Sequence, residues 1–419
     1  MNIDHAVKVR IYPDKHQEEL LARTFGCKRF LFNKMLEERD ATYERLKHDT
    51  EALQAVKYTT EHQYKVAYPF LKSVDSIALQ QARIDLQNAF TNFFEGRARH
   101  PRFKSRKSRQ SYRTMHVNGN IAIDFASRRL KLPKLGWMRY RDGGRTFTER
   151  IRSVTVSRTK TGKCFASILL ATDMEINPET TIHESKIAAF DMSATEFLVS
   201  EHERLENPRF YRASEHRLKR YHRRLSRTVK GSRNRDKARV RLARVYEQIA
   251  ARRTDWLQKT STRLANDNDA IIIEDLNMEG MKRFSGGLAK SVTLDVSWGE
   301  FTRMLEYKLA WRGKYLVKVD RFYPSSKLCS ACGVKNSALT LDQRSWACPA
   351  CGECHDREVN ASANLKLEGM RNLQERGITI IVDDLPRGPR EVTLREISQD
   401  PSSRGRRSMN EESTPFRTW

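Results

Sequence analysis

At 419 residues the chain is long enough for two to four domains of about 100 to 200 residues, which excludes a small disulfide-stapled fold. Lys and Arg number 78 against 52 Asp and Glu, a net charge of +26 that points to a polyanionic partner, with nucleic acid first. Hydrophobic residues at 38% and aromatics at 9% exclude a chain that is disordered throughout. The opening MNIDHAVKVRIYPDKHQ lacks the basic and then apolar regions of a secretory signal, and apolar runs such as Ala270 to Ile273 are too short to span a bilayer. The expectation is a cytoplasmic protein with no membrane partner. Seven cysteines, five of them between Cys329 and Cys354, favour a metal cluster over a disulfide framework.

In chain order, Val7, Val9 and Ile11 alternate with Lys8 and Arg10, the period of a half-buried strand that Pro13 ends. Asp14 followed by Gln17 has capping-box spacing and predicts a helix, with others following through Phe94. Leu79, Ala82, Leu86, Ala89, Phe90 and Phe93 make one apolar stripe at helical spacing, read as core. From Gly96 to Arg113 there are eight Lys or Arg, no acid, and the aromatics Phe103 and Tyr112. Like charges at that density repel unless a polyanion neutralises them, and the interleaved aromatics are placed to stack on bases. Short strands at Asn120 to Phe125, Leu130 to Leu132 and Ser153 to Ser157, separated by turns at Gly143, Gly144 and Gly162, predict a small β-barrel completed by the N-terminal strand.

KIAAFD (186–191) is an apolar strand ending on an acid, and Glu196 to Ser200 predicts a second strand. Between Arg209 and Arg253 there are 17 Lys or Arg against Glu215, Asp236 and Glu247, with Leu218, Tyr221 and Leu225, then Leu242, Val245 and Ile249, at helical spacing. This reads as a basic helical hairpin facing nucleic acid. A separate helix is expected at Trp256 to Leu264, and AIIIEDLN is a buried strand ending on Glu274 and Asp275. The alternation of strand, helices and strand predicts an α/β layer. The polar segment 373–419 is expected to be a disordered tail.

Two constellations carry chemistry. Cys329 and Cys332, then Cys348 and Cys351, form two C-x-x-C pairs 15 residues apart, the spacing of a structural four-thiolate zinc site. Gly333 and Gly352 follow the pairs and permit the turn of each knuckle. Cys354 is left outside the ligand set. Asp191, Glu274 and Asp356 lie at the ends of the two strands and at the start of a helix in HDREVNASANL. Three such acids can converge on Mg²⁺, which takes oxygen ligands; a pair of ions about 3.5 to 4 Å apart would activate water and stabilise the leaving 3′ oxygen. Asp275 should face away from Glu274 and is read as structural.

The ordered series FD (190–191), IIIEDLNMEGM (271–281), WGEF (298–301), YPSSKLCSACG (323–333), CPACG (348–352) and HDREVNASANL (355–365) resembles the TnpB family, transposon-encoded RNA-guided nucleases related to compact type V CRISPR effectors. KVRIYPDKHQ and LKLPKLGW (130–137) are also similar, so the likeness spans roughly residues 5 to 370. It implies a multidomain α+β fold: an RNase H-like (RuvC) α/β nuclease domain with an inserted zinc ribbon, plus a β-barrel wedge domain with an inserted helical recognition domain. The implied boundaries are wedge at 1–13 and 96–182, recognition at 14–95, nuclease at 183–322 and 354–372, and zinc ribbon at 323–353. By motif, Asp191, Glu274 and Asp356 would be the catalytic acids. The implied cofactors are two Mg²⁺, one Zn²⁺ and a guide RNA from the transposon end. The implied substrate is double-stranded DNA, with no small-molecule substrate, and the working form a monomeric ribonucleoprotein, nucleoid-associated when on DNA. Reading of the motif beside the target would fall to the helical domain and barrel, with Gln80 and Asn120 as candidate contacts. The chain departs from the family after the first acid, where Ser193 stands in place of the usual glycine and Thr195 in place of a lysine. A catalytically inactive guide-directed repressor and an RNA-independent transposase are the competing readings.

Overall fold

The alternation at residues 7–11 gives β1 (Ile3–Tyr12) in the computed structural model, which describes residues 3–383 apart from 142, 173–175, 194, 278–279, 281–294 and 341. Asp14 caps α1 (Lys15–Leu46) with the full capping box: its carboxylate accepts from the Gln17 N–H at 2.8 Å, and Gln17 Oε1 accepts from the Asp14 N–H at 3.0 Å. After α2 (Thr50–Ala55) and α3 (Glu61–Ala67), α4 (Ser76–Phe94) buries Leu79, Ala82, Leu86 and Phe90 against Leu31, Met35 and Leu36 of α1. The apolar stripe is core, as its period implies.

Six strands join β1 in a seven-stranded antiparallel sheet: β2 (Gln110–Met115), β3 (Ala122–Asp124), β4 (Arg129–Leu132), β5 (Gly136–Arg141), β6 (Arg150–Arg158) and β7 (Cys164–Thr172), in the order β2-β6-β7-β1-β5-β4-β3. Residues 3–11 of β1 pair with β7 while 10–12 pair with β5, so the N-terminal strand is the centre of the sheet. Among the described residues the edge strands β2 and β3 do not pair with each other. The strands share one core, built from residues such as Val9, Ile11, Leu130, Met138 and Val156, joined by Tyr112 and Ile123 of the two edge strands and completed by Leu21, Phe25 and Ala78 of the helices. Tyr112 lies in this core at 1% exposure, 5.9 Å from Phe25 ring to ring. It is a packing residue and not a base-stacking one.

The chain continues through β8 (Thr181–His183), β9 (Ile187–Phe190), β10 (Glu196–Val199), β11 (Arg204–Glu206), α5 (Phe210–Ala213), α6 (Glu215–Ser226) and α7 (Arg233–Asp267). Then come β12 (Ala270–Glu274), α8 (Trp298–Ala310), β13 (Tyr315–Val319), β14 (Ser345–Ala347), β15 (Cys354–Asp356), α9 (Arg357–Glu375) and β16 (Thr379–Ile381). β13, β12 and β9 form a parallel sheet in that order. Its central strand is apolar on both sides because both faces are covered. Ile271 and Ile273 pack with Leu257 and Leu264 of α7 and Phe301 and Leu305 of α8, while Ala270 and Ile272 pack with Leu365 and Leu373 of α9. α9 approaches so closely that a Cβ on Gly369 would lie 2.4 to 2.6 Å from the Ile272 side chain. Gly369→Ala is expected to destabilise the fold by about 1 to 3 kcal/mol, the usual cost of overpacking a tight contact, read in denaturant unfolding. An unchanged midpoint would show that the helix can retreat freely.

Two boundaries differ from expectation. No Gly or Pro interrupts residues 233–267, so the helix expected at Trp256 to Leu264 is the second half of the continuous α7. The segment after residue 372 is not all tail: α9 runs to Glu375, and β16 pairs in parallel with β8, Ile380 opposite Ile182. Residues 384–419 of the expected tail lie outside the described residues.

Candidate metal-dependent active site and nucleic-acid interface

The parallel register sets Phe190 opposite Ile273, so the next residues, Asp191 and Glu274, leave neighbouring strands side by side at the same end of the sheet. Asp191 is fixed there by exchanging backbone hydrogen bonds with Val199, N to O 2.8 Å and O to N 3.0 Å. Burial first, then the charges of Glu274 and Glu358, push the Asp191 carboxyl up to about 7. The third carboxylate whose charge acts on Asp191 is thus Glu358, in the first turn of α9. Its side chain is 14% exposed, and burial raises its carboxyl as well. Glu358 Oε1 accepts from Ser193 Oγ and from Arg344 Nη1, each at 3.1 Å.

Asp356 is placed differently. It is the N-cap of α9, with Oδ1 accepting from the N–H groups of Glu358 and Val359 at 3.1 Å each, and Oδ2 2.9 Å from Arg204 Nη2. Partial burial opposes its ionisation, but the Val359 N–H and Arg204 outweigh it and hold the carboxyl below its ordinary value. Asp191 and Glu274 thus lie side by side, Glu358 acts on Asp191 through its charge and is tied by Ser193 to the segment just after it, and Asp356 is engaged in a cap and an ion pair. Asp275 points elsewhere and pairs with Arg321 at 2.6 Å, the structural part expected of it.

The four cysteines at 329, 332, 348 and 351 offer sulfurs that all lie within 4.8 Å of one another, with Cys329–Cys351 and Cys332–Cys348 at 3.6 Å. Thiolates at about 2.3 Å from a tetrahedral Zn²⁺ would be about 3.8 Å apart, so the set fits that ion. Each knuckle closes on a glycine at positive φ: the Gly333 N–H donates to Cys329 O (2.8 Å), and the Gly352 N–H to Cys348 O (2.9 Å). The Cys351 N–H points at the Cys348 sulfur and brings that thiol down to about 6, which favours the thiolate a metal requires. Cys354 is exposed on β15 and outside the cluster. His355, next in line, sets Nε2 3.0 Å from Cys329 Sγ.

A basic cleft lies away from the acids. It has a volume of about 1370 Å³ and lies between the seven-stranded sheet and the start of α7, lined by Lys8, Arg106, Lys107, Arg109, Arg158, Lys160, Arg235 and Arg239 among others. Of its acids, Asp236 is paired with Arg239. The basic segment 96–113 and the basic hairpin thus meet across one groove, with phosphate-seeking side chains on both walls. The outer face of the sheet extends the pattern: Arg10 stands opposite Arg141, Arg129 opposite Arg139, and Tyr12 opposite Arg139. Like charges directly across strands destabilise a sheet, so this face is built for a polyanion. Phe103 is 58% exposed and available to it.

Several known proteins are similar to this chain. Residues 170–285 match a family described as "Probable transposase" (OrfB_IS605), residues 298–365 a "Cas12f1-like, TNB domain", and residues 1–48 a "Helix-turn-helix domain" of the same OrfB group. A "Putative RNA-guided DNA endonuclease" of Streptomyces pristinaespiralis is 38% identical over 88% of this chain and 90% of its own length. "Putative RNA-guided DNA endonuclease InsQ" of Escherichia coli K12 is 31% identical over 87% of this chain and 92% of its own. The chain belongs to the TnpB family. Its fold is similar to that of Cas12f1 in the "Cas12f1-sgRNA-target DNA complex", with a TM-score of 0.53 at 14% identity over 87% of this chain and 99% of that one.

Sequence reasoning passed over Glu358 and Arg344, and noted Ser193 only as a departure from the family. The signal for Glu358 was present: Ala361, Leu365, Gly369 and Leu373 form the face of α9 that packs on the sheet, and Glu358 continues that stripe while Asp356 does not. Asn120 uses both ends of its amide to hold a turn, accepting from the Val117 N–H and donating to Met115 O, which argues against a base contact. Gln80 is exposed on α4. No helix among the described residues is long and apolar enough to cross a membrane.

Proposed function

We propose that this chain is the RNA-guided DNA endonuclease of a transposable element, cutting double-stranded DNA that matches a bound guide RNA beside a short recognition motif. The observation that carries the proposal is that Asp191 and Glu274 leave adjacent parallel strands side by side, with the charges of Glu274 and Glu358 both acting on Asp191, in a strongly basic chain of this family. In this reading residues 183–322 and 354–372 are the RuvC-like nuclease and 323–353 its zinc ribbon. Residues 14–95 are the recognition helices, and 1–13 with 96–182 the wedge. Guide RNA and target DNA lie along the basic cleft and sheet face, and base pairing reads sequence while the protein grips backbones. The protein acts in the cytoplasm as a monomeric ribonucleoprotein, on the nucleoid when bound to DNA.

Asp191, Glu274 and Glu358 would hold the catalytic Mg²⁺. Bound there, a pair of such ions supplies an activated water and stabilises the departing 3′ oxygen. Asp191 must give up its proton to take its place. A carboxyl raised to about 7 is largely protonated at pH 6 and ionised at pH 8, so divalent-cation affinity should rise by about 10-fold across that interval and flatten above it. Mn²⁺ titrations at several pH values check this, and a flat profile from pH 6 to 8 would contradict it.

The function is tested by expressing the gene with its flanking sequence, washing the protein in high salt and sequencing the retained RNA. A single species ending in sequence from beyond the element supports guidance. Random cellular RNA favours an RNA-independent nuclease or transposase.

A further inference from the structure

We infer that Ser193 and Arg344 are positioning residues that present Glu358 to the catalytic cations, and that delivery of Arg344 is the zinc ribbon's contribution to the active site. The inference rests on the reading of Asp191, Glu274 and Glu358 as the metal-holding acids. Both donors engage the same oxygen of Glu358, Oε1, at 3.1 Å. The other oxygen has Arg204 Nη1 at 3.9 Å, too far for a hydrogen bond, and that nitrogen is held at 3.1 Å by Glu196, whose carboxylate also acts on Glu358. A flexible glutamate beside the carboxylates of Asp191 and Glu196 would otherwise swing away from their charge. Two donors on Oε1 fix the rotamer, offset part of the charge and leave Oε2 for an ion.

The two donors come from distant parts of the chain. Ser193 follows Asp191 at the place where the family usually carries glycine, so the departure from the family supplies the hydroxyl that meets Glu358. Thr195 Oγ1 lies 2.8 Å from Ser193 Oγ and can donate to it, which directs the Ser193 proton to the carboxylate. Arg344 lies between the two cysteine pairs, immediately before β14. Its carbonyl accepts from the Arg357 N–H at 2.8 Å, which ties the arginine's own backbone to the first turn of α9. Trp346 pairs with His355 on the same two strands, and His355 reaches Cys329. The Arg344 side chain is 64% exposed, and an exposed ion pair contributes little to stability. Its geometry bears on the orientation of Glu358 and not on folding.

The test measures Mn²⁺ binding to the ribonucleoprotein by the electron paramagnetic resonance signal of the free ion, beside the Mn²⁺ dependence of cleavage. Ser193→Ala and Arg344→Ala are each expected to weaken Mn²⁺ binding by about 10-fold with unchanged melting temperature, the usual effect of removing an outer partner of a metal ligand. Ser193→Thr, which keeps the hydroxyl, restores most of it. Lys335→Ala, an exposed cation of the ribbon, changes nothing. Wild-type Mn²⁺ binding in both alanine variants, with binding lost in Glu358→Gln, overturns the positioning role and leaves the metal-site reading standing. Wild-type binding in Glu358→Gln overturns that reading, and the inference with it.

Discussion

Glu358→Gln is expected to lower guided DNA cleavage by at least about 1000-fold, as Asp191→Ala should, because each removes a charge that holds cations worth several kcal/mol to the transition state. Asp356→Asn should stay within about 10-fold of wild type. Asparagine caps a helix as well as aspartate does, and Asp356 already spends its oxygens on the α9 N–H groups and Arg204. The three variants must retain guide RNA, since none of these acids lines the basic cleft. Single-turnover cleavage of matched DNA decides the matter. Loss of activity in Asp356→Asn with retention in Glu358→Gln would return the third position to Asp356.

Removing the zinc ligands should have the second largest effect. Cys329→Ser is expected to release one zinc per chain and to raise hydrogen exchange through residues 354–364, together with a severe loss of cleavage. A structural zinc contributes on the order of 10 kcal/mol to the folding of a small site, and here that stability is transmitted to α9. Asn360 Nδ2 and Asn364 Nδ2 both donate to Leu328 O, at 2.7 and 2.8 Å, and Asn360 Oδ1 accepts from the Ser330 N–H at 2.9 Å. The first knuckle is thus clamped to the helix that carries Glu358. Cys354→Ser should retain the ion. Absence of zinc from the wild-type protein, or normal exchange in Cys329→Ser, would remove the ribbon from the account.

What was legible in the sequence is what short-range pattern encodes. The alternation before Pro13, the Asp14 and Gln17 cap, the α4 stripe, the apolar runs at 187–190 and 270–273 and the paired cysteines each depend on neighbours within a few residues. Tertiary placement was not so encoded. Tyr112 sits in a run of cations that reads as surface, yet the strand alternation of β2 turns it inward. ITIIV after residue 377 is a strand only because β8, nearly 200 residues earlier, offers an edge to pair with. Asp356 and Glu358 are two residues apart, and which of them acts on Asp191 depends on how α9 docks on the sheet, where Gly369 meets Ile272.

The measurement that tests the central claim most directly is cleavage of a double-stranded DNA matching the RNA that copurifies with the protein. It is made with and without Mg²⁺, beside a mismatched DNA of equal length. The account predicts cutting of the matched DNA alone, only with Mg²⁺, and none by Asp191→Ala although that variant still binds RNA and target. Cutting that ignores the match, or that persists in Asp191→Ala, would contradict it.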